Sequence, residues 1–323
     1  MTALALPALD GRTPLGFLAA LGVLRLVGDH TGHTPRLAWS TEDCTALLHD
    51  AHADVDALVA DLATIVASIP DDGVLPGLRP DFPPPGEAPD KLRLSRTDLR
   101  AYADRVWEAE GTAGEHWLAS LVTDLCLDDR QRAAISAFAA PSGKQSMRTM
   151  LEKPLALVRS TPQLLREALV NWRRYPGVSG EYLDHRVLFD AADAPDGRPS
   201  ERGVPGATWL ALMAYPLLRT SAFNGRPITT CWQDLGRPAG RRMVYPLWSA
   251  PMDTSAVQAL LAHPELARAE PGTPPARAAL LSVFWVCHAE RRQVPGRNFA
   301  GVLTPTTRPV EAHPPAGRQP AHR

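Results

Sequence analysis

No stretch of the 323 residues approaches the roughly 20 consecutive apolar positions that a membrane-spanning helix requires. The apolar run near the N-terminus has no basic lead-in and is broken by glycine, which argues against a secretory signal. Cysteine is sparse: Cys44, Cys126, Cys231 and Cys287 share no CxxC or other ligand spacing, so a disulfide framework or a zinc module is not expected and a cytoplasmic, reduced protein is. Motifs of the common enzyme classes are absent as well. There is no HExxH, no GxSxG and no glycine-rich dinucleotide turn, and Asp184-His185 reverses the order of the metal phosphohydrolase pair. Ser142-Gly-Lys-Gln-Ser146 lacks the upstream glycine and the hydroxyl of a phosphate loop and follows no apolar strand. The expectation is a protein without catalytic machinery, cofactor or bound metal, although scattered residues that converge in space would make an enzyme of it.

Each half of the chain is short of one sign of charge in turn. Residues 1–140 hold 11 basic and 21 acidic side chains, a net −10; residues 141–323 hold 23 and 14, a net +9, which restores the overall −1. Such segregation means either that the C-terminal half faces an anion or that the two halves face each other. Only three of the 34 basic residues are lysine, in keeping with a high-GC genome.

The strongest structural signal is Leu9 to Leu26. Asp10-Gly11 is turn chemistry, Thr13 is placed to cap a helix and Pro14 falls at its first position. From Leu15 to Val27 Arg25 alone is charged, so the helix is apolar on every face and belongs in a core. Gly16 and Gly22 then mark close approach of a neighbouring element.

Arg36–Ser40 reads as a short strand, and Ser40-Thr-Glu-Asp opens a helical run through Leu47, Leu48, Leu58, Leu62 and Val66. His30, His33, His49 and His52 read as surface histidines more readily than as ligands, with His49 and His52 one turn apart on that helix. Residues 70–90 are loop. Helices are expected from Ser95, with Leu99, Tyr102, Val106 and Trp107 inward, and from Glu115. Further helices are expected after Ser146, at Thr161 to Trp172, at Ala207 to Leu218, from Thr254, and from Pro274 to Cys287. Arg186–Phe189 reads as a strand, and Ile228–Gln233 with Arg242–Trp248 as an antiparallel hairpin around an Arg-bearing loop. The fold class is α+β, predominantly helical with short antiparallel strands and a hairpin in the C-terminal half. Its expected organisation is an acidic helical region 1–140, a basic region 141–303 and a disordered, Pro-rich tail 304–323.

Two stretches carry a resemblance. Pro14-Leu-Gly-Phe-Leu-Ala-Ala-Leu-Gly-Val-Leu-Arg-Leu26 resembles the opening of the large-subunit and accessory families of type I-G (formerly I-U) CRISPR systems, and Met243-Val-Tyr-Pro-Leu-Trp-Ser-Ala-Pro-Met252 is similar to a Trp-Ser-x-Pro segment of the accessory family. The resemblance implies a cytoplasmic, non-catalytic subunit of an antiviral effector complex. Its partners would be nucleic acid (crRNA or target DNA) and other effector subunits, with no membrane. A scaffold with protein partners alone is the alternative. Backbone phosphates would meet the cations that the sequence sets beside turns and aromatics: Lys144, Arg148, Arg173, Arg174, Arg237, Arg241, Arg242, Arg291 and Arg292.

Overall fold

Thr13 caps the first helix: its hydroxyl accepts from the Gly16 N–H at 3.2 Å, and Pro14 follows at the first helical position. The computed structural model describes residues 3–87, 89–139, 145–189, 200–236, 240–293 and 301–306. Strand β1 (Leu4–Asp10) leads through the Asp10–Gly11 turn into helix α1 (Pro14–His30), buried at every position from Pro14 to Val27. Gly22 is there because a neighbour passes against it. A Cβ at that position would lie 1.8 Å from the carbonyl oxygen of Leu210. Arg25, the charged residue of the run, is buried over the Trp117 ring and donates through Nε to the Met213 carbonyl at 2.6 Å. Burial pulls its pKa down to about 10.

Strands β2 (Arg36–Trp39) and β3 (Thr45–His49) complete a three-stranded antiparallel sheet with β3 in the centre. The helix expected from Ser40 therefore starts later. Cys44 turns the chain with φ of 63°, β3 pairs on both edges, and helix α2 (Val55–Ser68) begins only after the Asp54 cap. His49 ends the strand and His52 lies beyond it, so the two do not share a helix. The described residues between 70 and 95 form no regular element.

Helix α3 (Arg96–Leu121), capped by Ser95, merges the two helices expected there, with a break at Gly111 (φ 57°). Trp107 is 53 % exposed and does not belong to its buried face. Strands β4 (Val122–Leu127) and β5 (Ala133–Ile135) pair in a hairpin. Helix α4 (Met147–Ser160) has a reciprocal cap between Ser146 and Thr149, and α5 (Gln163–Val170) follows. Strand β6 (Tyr175–Pro176), a one-turn helix α6 (Arg186–Phe189) and strand β7 (Arg202–Gly203) come next. The strand expected at Arg186–Phe189 is thus a helical turn, started by the Asp184 carboxylate accepting from the Arg186 N–H at 3.0 Å.

Helix α7 (Pro205–Met213) is the second fully buried helix. It lies against α1 at Gly22–Leu210 and against α5 at Gly206, where a Cβ would come within 2.1 Å of the Leu164 oxygen. Strands β8 (Thr220–Phe223) and β9 (Arg226–Thr229) form a hairpin on Asn224-Gly225. Ile228 belongs to this hairpin, because Cys231 (φ 66°) interrupts the expected strand between Ile228 and Trp232. The hairpin expected further on is present as β10 (Trp232–Gly236) and β11 (Gly240–Trp248). Helix α8 (Thr254–Leu261) is capped by Asp253. The helix expected to reach Cys287 stops early. Helix α9 (Ala276–Leu280) ends, Ser282 turns with φ of 63°, and β12 (Val283–Arg292) pairs with β11 and with β13 (Val302–Pro305).

Helix takes 41 % of the described residues and strand 24 %, in several small antiparallel sheets; this is α+β without confirming that helix predominates. One hydrophobic core runs from Leu6 to Leu303 and draws on both 1–140 and 141–303. No helix of the described residues is long and apolar enough to cross a membrane. The tail expected to be disordered lies, from residue 307 on, outside the described residues.

Candidate functional site

Lys144 and Arg237 lie outside the described residues, and the other seven candidate cations divide by burial. Arg148 is buried and organises the 70–90 loop. Its guanidinium donates to the carbonyls of Pro80 (2.6 Å), Pro83 (3.1 Å) and Asp72 and pairs with Glu152 at 2.6 Å. Nor is the start of α4 open to an anion. The Met147 N–H donates to the Asp90 carboxylate at 2.7 Å, and the Thr149 N–H to the Ser146 hydroxyl at 3.3 Å. At this helix start the Asp90 carboxylate, from the other half of the chain, stands where an anion would.

Arg291 is likewise turned inward. It lies 5.8 Å from the Trp232 ring centroid, donates to the carbonyls of Phe138 (2.9 Å) and Gly301 (3.1 Å), and burial pulls its pKa down to about 10. Arg242 pairs with Glu290 at 3.0 Å, while Arg241 is exposed and stands opposite Asp234 across the β10–β11 ladder. Arg173 is exposed over the Tyr175 ring. Arg174 holds Asp184 at 2.6 Å, both side chains about nine-tenths buried. Arg292 is exposed at the end of β12. Cations of the basic half also reach the acidic half directly, Arg166 to Asp56 and Arg159 to the Ile69 carbonyl. Part of the charge segregation is an internal match.

The segment from Gly177 to Arg186 is where side chains converge, and it was not singled out in the sequence. Gly180, Glu181 and Tyr182 take φ of 59°, 50° and 56° in succession, one turn of left-handed backbone. For Glu181 and Tyr182 this conformation costs roughly 1–2 kcal/mol each, and such strain concentrates at functional sites. The turn carries Glu181 to the floor of a cavity of about 340 Å³ also lined by Gln145, Thr149, Lys153 and Thr208. Burial raises the Glu181 pKa to about 7, against the opposing hydrogen bond from Gln145 and the charge of Lys153.

Four residues after Glu181, His185 lies 3.6 Å from Asp184. Burial lowers its pKa, the Asp184 charge opposes this, and the charges of Arg186, Arg174 and Arg292 lower it further. Three arginines, two of them exposed, thus act electrostatically on one histidine. Arg174 and Arg292 were expected to bind anions; Arg186 and Glu181 were missed, and His185 entered only through the reversed Asp184-His185 pair. The turn pairs Pro176-Gly177 and Ser179-Gly180 were the available sequence signal. What they turn toward depends on α4 and α7, distant in the chain.

An open groove of about 990 Å³ runs beside the β8–β9 hairpin, lined by Arg219, Phe223, Ile228 and Arg268 among others. Phe223 is 66 % exposed there. Among the described residues one set has the spacing of metal ligands: His33, His52 and Asp61. No known family's sequence model matches the chain, and no curated protein matches it.

Proposed function

We propose that this chain is a non-catalytic, nucleic-acid-associated subunit of a type I-G CRISPR effector complex, and that it grips the nucleic-acid backbone at the cations around His185. The assignment to that complex rests on the resemblance of Pro14–Leu26 and Met243–Met252. The observation that carries the binding reading is that the charges of Arg174, Arg186 and Arg292 all act on His185, with Arg186 and Arg292 exposed. Arg291 and Lys153 add positive charge nearby, against Asp184 and a Glu181 that is about half neutral at pH 7. Guanidinium groups suit paired contacts to phosphate oxygens, and Gln145 with the Glu181 carboxyl offers polar groups to a base or ribose entering the cavity. Cytoplasmic antiviral defence follows from that membership.

Co-expression with the remaining effector subunits and a crRNA tests it. The chain should elute with the ribonucleoprotein, and alone it should bind labelled oligonucleotides with an affinity that falls as salt rises. Elution with the complex but no binding alone would instead make it a protein-only scaffold.

One observation favours a second reading. A buried carboxyl titrating near 7 in strained backbone is the profile of a general acid or base. Turnover of a nucleic-acid substrate that is lost in Glu181→Gln, with the fold intact, would replace the first reading by this one.

A further inference from the structure

His33 lies on the turn between α1 and β2, His52 on the turn after β3, and Asp61 on the second turn of α2. These three places are brought together where α2 packs beside α1. The Oδ2 of Asp61 is 2.8 Å from Nε2 of His52 and 4.0 Å from Nε2 of His33. The two imidazole rings face each other, centroids 4.6 Å apart and tilted by 57°. The His52 side chain is 97 % buried, with a 3 % exposed remainder, whereas His33 and Asp61 are 40 % and 39 % exposed.

A His–Asp hydrogen bond accounts for His52 and Asp61 alone. It does not account for a second imidazole directed at the same carboxylate oxygen. With both rings protonated, two cations would stand against one carboxylate at ring-contact distance. With both neutral, His52 is in hydrogen-bond reach of the oxygen at 2.8 Å and His33, at 4.0 Å, is not. A metal ion resolves this, since it accepts one lone pair from each ring and one from the carboxylate.

We infer that His33, His52 and Asp61 form a divalent transition-metal site, best matched to Zn²⁺. Two imidazoles and a carboxylate are a borderline donor set that suits zinc, cobalt or nickel and disfavours calcium and magnesium, which prefer oxygen alone. Zn–N and Zn–O bonds of about 2.0–2.2 Å put tetrahedral ligand atoms roughly 3.3–3.5 Å apart. The separations of 2.8 and 4.0 Å lie on either side of that value, and all three ligand atoms fall within 4.8 Å of one another. The adjustment falls to His33 and Asp61, the two half-exposed side chains, while buried His52 stays fixed. Each imidazole must present a lone pair and the carboxylate must be ionised to bind the ion, so protons compete with it and affinity falls in acid. Three protein ligands leave a coordination position open to water. The ion ties together two turns and a helix, and its binding free energy adds to the stability of the N-terminal region.

The test uses the full chain, stripped with a chelator and dialysed. Zn²⁺ titrated by calorimetry should bind one per chain, and the unfolding midpoint should rise with Zn²⁺ concentration. Co²⁺ in its place should give the visible absorption of a low-symmetry nitrogen–oxygen site, read on the unsubstituted chain. His33→Ala and Asp61→Asn should each lower Zn²⁺ affinity roughly tenfold or more, while their unfolding midpoints in chelator stay near that of the parent. His49→Ala, a histidine outside the set, should bind like the parent. Absence of stoichiometric Zn²⁺ binding and of a Co²⁺ spectrum, or binding undiminished in both ligand variants, would overturn the assignment.

Discussion

The ring of Phe17 lies 4.4 Å from that of Tyr245, tilted by 39°, and the Tyr245 hydroxyl donates at 3.0 Å to the carbonyl of Arg12, 233 positions earlier in the chain. Trp248, three residues on, sets its ring edge-on to Phe17 and donates from Nε1 to the Leu37 carbonyl at 2.7 Å. The two stretches that carry the family resemblance therefore pack against each other. They form the framework that closes the N-terminal sheet and α1 onto β11. Their apolar pattern records packing, and the cations that would meet nucleic acid lie elsewhere.

Gly22 tests that framework. A Cβ at this position meets the Leu210 backbone, which cannot rotate away. Gly22→Ala should cost at least the upper part of the roughly 1–3 kcal/mol range for overpacking, and Gly22→Leu more. Gly32→Ala, with nothing within 4 Å of the added atom, should be close to neutral. Chemical denaturation of the three variants gives the comparison, and a Gly22→Leu variant as stable as the parent would contradict the close approach of α1 and α7.

Glu181 makes stability depend on pH with a defined sign. Its carboxyl titrates at 4.5 when unfolded and at about 7 when folded, because burial disfavours the charge. Below the lower value both states are protonated and the contribution is fully present. As pH rises through the window, the unfolded chain releases a proton that the folded chain keeps, so stability falls by about 1.4 kcal/mol per pH unit and by about 3 kcal/mol in all. Glu181→Gln should remove this component. The difference in unfolding free energy between variant and parent, followed from pH 4 to 8, should grow with pH and level off above about 7. A flat difference would mean that the carboxyl is already ionised in the folded state.

Arg148 separates structure from binding. Its replacement by Ala leaves the carbonyls of Asp72, Pro80 and Pro83 without their donor, at roughly 1–3 kcal/mol for each group that stays buried. A loss of about 3 kcal/mol or more is expected on thermal or chemical unfolding, and Arg148→Lys should recover little of it, because an ammonium cannot span three acceptors held by a planar fork. Unchanged stability with weakened oligonucleotide binding would return Arg148 to the surface role its sequence position suggested.

What could be read in the sequence was local. The Thr13 cap, Pro14 and the apolar run gave α1; Ser95 and Thr254 marked helix starts that the fold uses; and the β10–β11 hairpin lay where aromatic and β-branched residues flank its loop. The errors arose where distant pairing decides. Leu47 and Leu48 continue the helical spacing of α2, yet β3 forms because β1 and β2 pair with it from either side. Val283–Cys287 was joined to the alanine-rich run before it, although a left-handed Ser282 divides helix from strand. Asn224-Gly225 is a strong hairpin signal that was passed over in favour of the next one along. At the site, Arg148 and Arg291 looked like surface cations because the carbonyls they serve belong to loops far away in the chain. Glu181 could not be singled out, since its burial depends on α4 and α7 closing over the turn.

The most direct measurement is the salt dependence of oligonucleotide binding in two double variants. Arg186→Ala with Arg292→Ala removes the exposed cations beside His185, and Arg241→Ala with Arg242→Ala removes those of the β10–β11 hairpin. Each single-strand phosphate contact contributes about 0.7 to the slope of log affinity against log salt. The first double variant should bind more weakly to any sequence and lose roughly 1.4 from that slope, with its unfolding midpoint nearly unchanged. The second should keep the parent slope, because Arg242 is engaged by Glu290 and Arg241 faces Asp234. A parent slope in the first variant together with a reduced slope in the second would contradict the placement of nucleic acid at the His185 cluster.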